Sequence, residues 1–516
     1  MTTTLWLSLA ALLPIFVVLF ALIRLRWSGA RAGTAGWAIA LLLALALFQV
    51  SPELLLYAHL RSLLLSLYVL YIIWMALLLY HVVNEAEAIQ DISAGVARLT
   101  GDRLIQLLIL AWIFASFIQG VTGFGVPVAV VTPLLIGMGF DPVQTVVAAG
   151  VAHCWAVTFG SGGSAFYTLV AVTDVPGETL ALPSAMLLGA MALLCGAAAA
   201  HLGGGWRGVL RSAPFVLLVG LTMAGTQYFL AAAGFWTIAS FGAGGAGLLA
   251  AIPLARLPAY RGEPAPRVPG APRLRERLPV AMSAYFLLLL IVLAADLIPS
   301  LTLLLNRIEI TYTFPEVRTG LGWVVPAGPG RAVSLFGHAG ALIAYAALLS
   351  MLVYRAAGRY TPGTEQRIFR KTLAGSIAST LGILMLVAMA LIMDNSGMVF
   401  AIADGLQRVI PRSLYPLAAP LIGALGSFMT GSNTNSNVIF APLQQQVAAL
   451  SGMSVPAILA AQTTGGALGS MIAPAKILVG ASTANVAGRE GEVLRTTWPY
   501  ALVLLLATGL LTYGLL

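Results

Sequence analysis

Apolar runs of about 20 residues recur along this chain, and they constrain its fold more than any other feature of the sequence. A helix of that length spans the hydrocarbon core of a bilayer. Hydrophobic residues make up 59% of the 516 residues and charged residues only 9%, whereas roughly 25% are charged in an ordinary soluble domain. The sequence therefore predicts an all-α polytopic membrane protein with about 12 to 14 transmembrane helices, for which the lipid bilayer is the solvent.

The basic residues lie mostly in short loops between the apolar runs, where they set the orientation of a membrane protein. The net charge of +9 therefore gives no reason to expect nucleic-acid binding. Arg24, Arg26 and Arg31 follow the first apolar run, Leu5 to Leu25, and no basic segment precedes it. This order predicts a retained span with an outward-facing N-terminus rather than a cleaved signal peptide.

Two hydrophilic stretches interrupt the series of predicted spans. The segment 256–279 is rich in arginine and proline, so it is predicted to be a cytoplasmic linker. The segment Asn306 to Arg331 mixes charged, aromatic and glycine residues, so it is predicted to be an external loop or interfacial segment that helps cover the site. The sequence does not decide whether Val399 to Ile410 crosses the membrane.

The first interruption of an apolar span, Gln119 to Pro127, contains three glycines and a proline. A continuous helix must open there, and unwound backbone at membrane depth is tolerated where it lines a cavity. Its freed N–H groups then form an anion site, although small-residue spacing is also typical of a close helix contact. The predicted substrate-binding residues of this interruption are Gln119, Gly120, Thr122, Gly123 and Gly125.

The second interruption, Thr430 to Asn437, is the strongest polar signal in the chain, because eight consecutive residues without an apolar side chain lie between two apolar spans. Amides, hydroxyls and helix-end backbone groups can bind a carboxylate, a cation or both. An ordinary loop rich in Asn and Ser is the alternative. The predicted substrate-binding residues here are Thr430, Ser432, Asn433, Thr434, Asn435 and Asn437, and Asn433 is also a candidate for ion coupling.

The two interruptions occupy matching places in an internal repeat. Phe117-Ile-Gln-Gly120 is matched by Phe428-Met-Thr-Gly431, and the segments that follow have the same order. Short matches also arise by chance in apolar sequence, but broken helices or re-entrant hairpins in two inverted repeats mark the midplane site of a transporter. A further polar break closes each copy, Thr158 to Ser164 in the first and Gln462 to Gly466 in the second. Of these residues, Thr463 and Thr464 are predicted to bind substrate.

Three ionisable residues in apolar surroundings are further candidates. Lys476 either contributes charge to a substrate site or snorkels from a helix end. His153 is a candidate for substrate binding and for ion coupling, because imidazole relays protons near neutral pH, and a satisfied core histidine is the alternative. Asp394 is a candidate for ion coupling, as a cation ligand or proton site, or else it caps the next helix. Cys154 and Cys195 are predicted to be buried free thiols, and no metal site is predicted.

These features divide the chain into two transport repeats within a scaffold. The predicted parts are N-terminal scaffold helices in 1–103, the first transport repeat in 104–174, scaffold helices in 175–255, the cytoplasmic linker 256–279, scaffold helices in 280–371, the second transport repeat in 372–487 and a C-terminal helix in 488–516.

At these motifs the sequence resembles the lactate permease family, which includes glycolate permeases, over most of its length. The resemblance is carried by Asp102-Arg-Leu-Ile-Gln106 leading into Phe117 to Val130, by Gly139-Phe-Asp-Pro142, by Trp206-Arg-Gly208, by Phe428 to Asn437 with Phe440 and Gln444, and by Thr463 to Gly466 followed by Met471 to Pro474. The family implies a secondary carrier that moves lactate, glycolate or a similar 2-hydroxy monocarboxylate across the bacterial inner membrane together with protons. Its relation to a broader ion-transporter group implies inverted repeats, helical hairpins and a homodimeric elevator.

The sequence departs from the family pattern at four positions. Gln119 and Asn433 stand where the family typically has Glu and Asp, His153 stands where Asn is usual, and Lys476 stands where a neutral polar residue is usual. These changes make the site more positive, which favours a more anionic substrate or removes a proton-carrying group. Ser432-Asn433-Thr434 also resembles the signature of sodium-coupled dicarboxylate carriers. Both H+ and Na+ are therefore candidates for the coupling ion, and no cofactor is expected.

The sequence thus predicts a secondary active transporter of a small organic anion that works by alternating access with ion coupling. A carrier for a dicarboxylate or a sulfonated acid, and an anion channel or exporter, are the alternatives. A membrane enzyme is not expected, because no nucleophile, base and orienting group form a recognisable motif and no nucleotide-binding loop is present.

Overall fold

The computed structural model describes residues 5–25, 27–96, 99–122, 125–260, 262, 274–486 and 488–516. Within these residues, nine helices are long and apolar enough to cross a membrane, and five shorter apolar helices accompany them. The predicted class, an all-α polytopic membrane protein, is confirmed, and within the described residues the helices are accompanied only by a set of short antiparallel strand pairs. The predicted number of 12 to 14 transmembrane helices stays a prediction.

The N-terminal part consists of helices whose starts follow from local sequence signals. The Ser28 Oγ accepts the backbone N–H of Arg31, and the Ser51 Oγ accepts that of Leu54 just before Pro52 at the first helical position. Serine caps and an initial proline both favour helix initiation. The helices are α1 (Leu5–Ala11), α2 (Leu13–Ile23), α3 (Gly29–Ala46), α4 (Pro52–Glu85) and α5 (Ala88–Val96).

The first interrupted segment folds as a helical hairpin followed by a broken helix. Its elements are α6 (Arg103–Leu107), a π-helical stretch (Leu108–Phe114), α7 (Ala115–Val121), α8 (Val126–Gly137), α9 (Pro142–His153), a 3-10 turn (Cys154–Val157) and α10 (Ser164–Thr173). The Arg103 guanidinium at the start of α6 donates to the Gly139 carbonyl oxygen at 2.6 Å. This bond closes the base of the hairpin, so its tip is the break between α7 and α8.

The central part contains two helical segments that meet at a sharp kink at Gly204 and Gly205 and fold back on each other, since a Cβ on Gly189 would lie 3.1 Å from the Ala224 Cβ. Gly205 has a φ of +59°, a value that glycine adopts at no steric cost, and the long helix α11 kinks there. The next helix after the predicted linker begins at Leu274, inside the predicted range 256–279, and residues 263–273 lie outside the described part of the chain. The elements are α11 (Gly177–Ala232), a 3-10 turn (Trp236–Ile238), α12 (Ala239–Ala255), α13 (Leu274–Leu297), α14 (Pro299–Leu305) and α15 (Ala339–Ala356).

The segment predicted to be an external loop or interfacial stretch forms a β-hairpin. Its strands are β1 (Glu309–Ile310), β2 (Thr313–Phe314), β3 (Val317–Arg318), β4 (Val324–Val325), β5 (Gly328–Pro329) and β6 (Val333–Ser334), paired antiparallel as β1 with β6, β2 with β5 and β3 with β4. Two side chains of α4 hold it, since Arg61 donates to the Pro326 carbonyl at 3.4 Å and the Tyr71 hydroxyl donates to the Leu335 carbonyl at 3.0 Å.

The second interrupted segment also contains a helical hairpin followed by a broken helix. It comprises α16 (Thr364–Asn395), α17 (Met398–Val409), α18 (Tyr415–Thr430), α19 (Asn433–Leu450), α20 (Val455–Gly469), α21 (Pro474–Thr483) and α22 (Glu490–Thr512), followed by a 3-10 turn (Tyr513–Leu515). The Arg412 guanidinium donates to the Gly452 carbonyl oxygen at 2.8 Å, and so closes the base of a hairpin made of α18 and α19. An inverted symmetry between the two segments stays a prediction, as does the division into scaffold and transport parts.

The open question about Val399 to Ile410 is answered by α17. This helix has 12 residues, which corresponds to a length of about 18 Å, well short of a bilayer core of about 30 Å. It packs against α1 and α19. The segment therefore does not cross the membrane as a helix of its own.

Candidate functional site

The two interruptions predicted from the sequence meet at one cavity. Its volume is about 30 Å³, room for about two water molecules and well below the volume of ordinary ligand pockets. Three polar breaks contribute to it: the end of α7, the start of α10 and the start of α19. The lining residues are Gln119, Val157, Ser161, Ser164, Ala165, Gly431, Ser432, Asn433, Thr434 and Lys476.

The tip of the first hairpin is fixed to the break between α9 and α10. The carbonyl oxygens of Gln119 and Gly120 accept the backbone N–H groups of Ser161 and Gly162 at 2.9 and 3.1 Å. The Ser161 hydroxyl donates to the Thr122 carbonyl at 3.2 Å. The Gln119 side chain is 2% exposed, and its Oε1 has no hydrogen-bond partner among the described residues. An acceptor without a donor therefore lies at the cavity wall.

The left-handed backbone of Gly125 starts the second arm of this hairpin. Its φ is +88°, and it precedes α8 directly. A Cβ at this position would lie 3.9 Å from Lys476 Cγ, so the hairpin tip touches α21. Gly123, also a predicted site residue, lies outside the described residues.

The tip of the second hairpin is a tight turn at Gly431 and Ser432. Gly431 has a φ of +74°, and the Ser432 hydroxyl caps α19 by accepting the N–H of Asn435 at 3.4 Å. The Thr430 hydroxyl donates to the Gly426 carbonyl at 2.8 Å. Of the predicted residues in this interruption, Ser432, Asn433 and Thr434 line the cavity. Thr430 and Asn435 shape the turn instead.

Two asparagines tie this turn to the other breaks. The Asn433 Nδ2 donates to the Thr158 hydroxyl at 3.0 Å and to the Thr463 carbonyl at 3.1 Å. The Asn437 Nδ2 donates to the Ala165 carbonyl and to the Thr463 hydroxyl, both at 3.0 Å. Because a carbonyl only accepts, these bonds fix the orientation of both amides. Asn437 and Thr463 therefore support the cavity wall without lining it.

Thr464 was also predicted to bind substrate, and the structure places it in the interior beside this network. Its side chain is fully buried, and its hydroxyl has no hydrogen-bond partner among the described residues. It is not among the residues that line the cavity.

The first residues of two helices line the cavity. Ser164 and Ala165 begin α10, and Asn433 and Thr434 begin α19. The first N–H groups of a helix have no acceptor within it, and the helix dipole adds partial positive charge at that end. Such an arrangement binds anions.

Lys476 supplies a full positive charge to the same cavity. The residue is 9% exposed, and its ammonium has no hydrogen-bond or ion-pair partner among the described residues. A buried ammonium is unfavourable without a partner. Among the lining residues there is no Asp or Glu to act as that partner. The cavity is thus chemically suited to an anion from solution.

The remaining predicted residues lie elsewhere. His153 is 1% exposed and lines a neighbouring cavity, which it shares with Lys476. Gly120 packs against α12, where a Cβ would lie 2.5 Å from the Phe241 backbone. It therefore serves a close contact between two helices, which was the alternative to a role in substrate binding. Asp394 lines neither cavity, and the charges that act on it are Asp174 and Arg61. The structure therefore does not bring Asp394 to the other candidates.

Ser161 and Ser164 line the cavity but were not predicted as site residues. The polar run Thr158 to Ser164 marked their position in the sequence. Which of its members face the cavity depends on the geometry of the break, which the sequence does not give.

Comparison with known proteins places these observations in a family. The model of the L-lactate permease family matches residues 7–515. The chain belongs to the L-lactate permease family. It is 27% identical to the L-lactate permease of Bacillus subtilis (strain 168) and 26% identical to the glycolate permease GlcA of Escherichia coli (strain K12). Both alignments cover 98% of this chain and 95% of the relative.

The relatives in the L-lactate permease family are membrane transporters, so the prediction of a transporter rather than an enzyme is confirmed. Among solved structures, the chain is similar to the YdaH transporter of Alcanivorax borkumensis, with 18% identity and a TM-score of 0.45 over 86% of this chain and 83% of that one.

Proposed function

We propose that this permease is a secondary active transporter of lactate, glycolate or a related 2-hydroxy monocarboxylate. The observation that carries the proposal is the buried and unpaired Lys476 ammonium at a cavity where α10 and α19 begin. A carboxylate placed there pairs with the ammonium and accepts N–H groups from both helix ends. The names of the family and of its relatives support lactate or glycolate as the substrate.

The 2-hydroxyl group of such a substrate fits the other polar groups of the cavity. Gln119 Oε1 is buried and lacks a donor among the described residues, and a substrate hydroxyl supplies one. Ser161 and Ser164 lie on the same wall. A site built to hydrogen-bond a hydroxyl discriminates against an analogue without it, because its own polar groups are then left unpaired.

Alternating access is the mechanism that this arrangement supports best. The two hairpin tips lie against neighbouring residues of α21, since Gly125 is near Lys476 and a Cβ on Gly431 would lie 3.4 Å from Ala475. In our proposal the hairpins and the broken helices move as the transport part against the remaining helices. We further propose a homodimer in the bacterial inner membrane, with H+ or Na+ as the coupling ion.

Transport by the purified protein in liposomes tests this proposal. We expect saturable uptake of labelled L-lactate or glycolate, and counterflow when the vesicles are loaded with unlabelled substrate. Counterflow distinguishes a carrier from a channel, which cannot exchange substrate in this way. The absence of saturable uptake and counterflow for every small carboxylate would overturn the proposal.

A carrier for a dicarboxylate or a sulfonated acid is the second candidate. The observation in its favour is the excess of positive charge, because Lys476 and two helix N-termini face a cavity whose described lining contains no carboxylate. Competition against labelled lactate decides between the two candidates. Stronger inhibition by a C4 dicarboxylate or a 2-hydroxysulfonate than by unlabelled lactate favours the second candidate.

A further inference from the structure

A second cavity lies beside the substrate cavity, and Lys476 lines both. The second cavity has a volume of about 10 Å³, enough for about one water molecule, and is bounded by α8, α9, α21 and α22. Its polar lining residues are His153, Ser470, Lys476 and Thr497. Lys476 therefore borders both the proposed anion site and the neighbouring second cavity.

The imidazole of His153 presents an acceptor to the second cavity. Its Nδ1 is bonded to the Ala149 carbonyl oxygen one turn earlier on α9. Because that oxygen only accepts, Nδ1 carries the proton and Nε2 is the basic nitrogen. Nε2 is buried and has no partner among the described residues. Lys476 is the charged side chain that acts on this imidazole.

The other polar groups of the second cavity are acceptors too. The Ser470 hydroxyl donates its hydrogen to the Ala467 carbonyl at 2.7 Å, and the Thr497 hydroxyl donates to the Val493 carbonyl at 2.8 Å. Only their lone pairs remain available. Three acceptors thus surround one donor, the ammonium of Lys476. A polar cavity with several such groups is a site for ordered water.

Among the described residues, no carboxylate acts on Lys476 to hold its proton. His153 and Cys154 are the titratable groups that act on it from the elements packed around it. The Cys154 thiol is in contact with the Cys195 thiol at 3.6 Å and donates to the Val151 carbonyl. Both cysteines are buried and free, as predicted from the sequence. No described residue therefore acts as a counter-ion to the Lys476 ammonium, and the bound substrate anion takes this role.

We propose that Lys476 carries the coupling proton and exchanges it through His153 in the second cavity. The inference rests on the proposed function, because it requires an anionic substrate in the first cavity. While the anion is bound, the ammonium is paired. When the anion leaves, an N–H bond of the ammonium breaks and its proton passes through cavity water to His153 Nε2. The resulting imidazolium returns that proton to water.

This sequence of steps fixes the charge balance of transport. The loaded carrier holds one ammonium and one carboxylate, and the empty carrier holds a neutral amine. Neither form moves an uncompensated charge through the membrane, which would be costly. One proton accompanies each monoanion, so net uptake is electroneutral. The carboxylates expected from the family at positions 119 and 433 are not needed for the coupling.

A comparison of proton-coupled uptake with substrate exchange distinguishes a proton-carrying role of Lys476 from a role in substrate binding alone. Arginine keeps its charge at all physiological pH values, so Lys476→Arg pairs with the anion but does not release a proton. In liposomes, we expect Lys476→Arg to lower lactate uptake driven by a pH gradient at least about 10-fold more than it lowers counterflow. Lys371→Arg is the matched control, because Lys371 is the other lysine of the chain and pairs with Glu85. It should leave both rates unchanged.

A second variant covers the case in which arginine does not fit the cavity. His153→Gln removes the basic nitrogen while Lys476 is kept, and His201→Gln is its control, since His201 lies elsewhere and bonds to the Tyr500 hydroxyl. We expect His153→Gln to slow gradient-driven uptake and the accompanying proton flux several-fold while counterflow is retained. An equal loss of both rates in His153→Gln, or normal accumulation by Lys476→Arg, would overturn the inference. A wild-type protein without counterflow would instead overturn the proposed function.

Discussion

Asn437 links three helices through a single amide. Its Nδ2 donates to the carbonyl oxygen of Ala165 at 3.0 Å, and the same nitrogen donates to the Thr463 hydroxyl at 3.0 Å. Ala165 lies at the start of α10, Thr463 lies in α20 and Asn437 itself lies in α19. One fully buried side chain therefore holds the first interrupted segment against the second at the rim of the cavity.

We predict that Asn437→Asp destabilises the protein although the two side chains have the same shape. A carboxylate has no N–H to donate, so it would face the Ala165 carbonyl unpaired. Leaving a buried polar group unsatisfied costs about 1–3 kcal/mol, and more for a charged group. Thermal unfolding in detergent should show a lower midpoint, and uptake should fall with it.

Asn435→Asp is the matched control for this substitution. Asn435 lies two residues away in the first turn of α19 and is only half-buried. A carboxylate near a helix N-terminus is favoured by the helix dipole, so this variant should unfold at the same or a slightly higher temperature. Equal midpoints for Asn437→Asp and wild type would contradict the role of the Asn437 amide.

Gly466→Ala tests the position of the Asn433 side chain. A Cβ on Gly466 would lie closer to Asn433 Oδ1 than van der Waals contact allows. The Asn433 amide would have to turn, which breaks its bonds to Thr158 and Thr463. Because Asn433 lines the cavity, we expect the KM for substrate to rise several-fold in liposome uptake.

The control for Gly466→Ala is Gly225→Ala in α11. Nothing lies within 4 Å of a Cβ at Gly225, and alanine is favoured over glycine within a helix by about 1 kcal/mol. This variant should keep the wild-type KM and unfold at an equal or higher temperature. If both variants gave the wild-type KM, Asn433 would not be a determinant of substrate binding.

The sequence was sufficient to predict the general location of the candidate site. Gln119 and Ser432 to Thr434 were predicted from polar residues where apolar spans should continue, and they line one cavity. The reason is physical, since unsatisfied polar groups in a membrane must face a cavity or each other. A local rule of this kind can be applied to a sequence without any knowledge of the tertiary structure.

The sequence could not predict which polar residues line the cavity and which ones support its wall. Asn437 and Asn433 belong to the same run, yet Asn437 supports the wall while Asn433 lines it, because the turn of α19 rotates them differently. Gly120 belongs to the first interruption, but its role follows from Phe241 on α12, a neighbour distant in sequence. Asp394 was a predicted coupling residue, and only the structure shows that Asp174 and Arg61 are the charged groups that act on it.

A reciprocal glycine contact between α7 and α12 leads to a prediction about stability. A Cβ on Gly120 would lie 2.5 Å from the Phe241 backbone, and a Cβ on Gly244 would lie 2.5 Å from the Phe117 backbone. Both distances require the two helices to separate. We therefore expect Gly120→Ala and Gly244→Ala to lower the unfolding midpoint by similar amounts, as overpacking typically costs about 1–3 kcal/mol.

Gly244 is not part of the predicted interruption, so the comparison separates packing from substrate binding. If Gly120 binds substrate through its backbone, Gly120→Ala should raise the KM while Gly244→Ala should not. Gly245→Ala serves as the control on the same helix, because a Cβ there would meet Phe117 side-chain atoms only at 3.8 Å. An unchanged midpoint in Gly120→Ala would contradict the tight contact with α12.

Neutralising Lys476 should weaken substrate binding more than any other single change in the cavity. Lys476→Gln keeps a polar side chain of similar length but removes the charge that faces the anion. A hydrogen bond to a charged group contributes roughly 1.5–3 kcal/mol, and each 1.4 kcal/mol corresponds to about a tenfold change in affinity. We expect the KM for lactate to rise about 10- to 100-fold in counterflow assays, whereas Lys371→Gln should change it less than about twofold. If a dicarboxylate is the true substrate, Lys476→Gln should also shift the preference towards monoanions, so a selectivity identical to that of wild type would exclude this alternative.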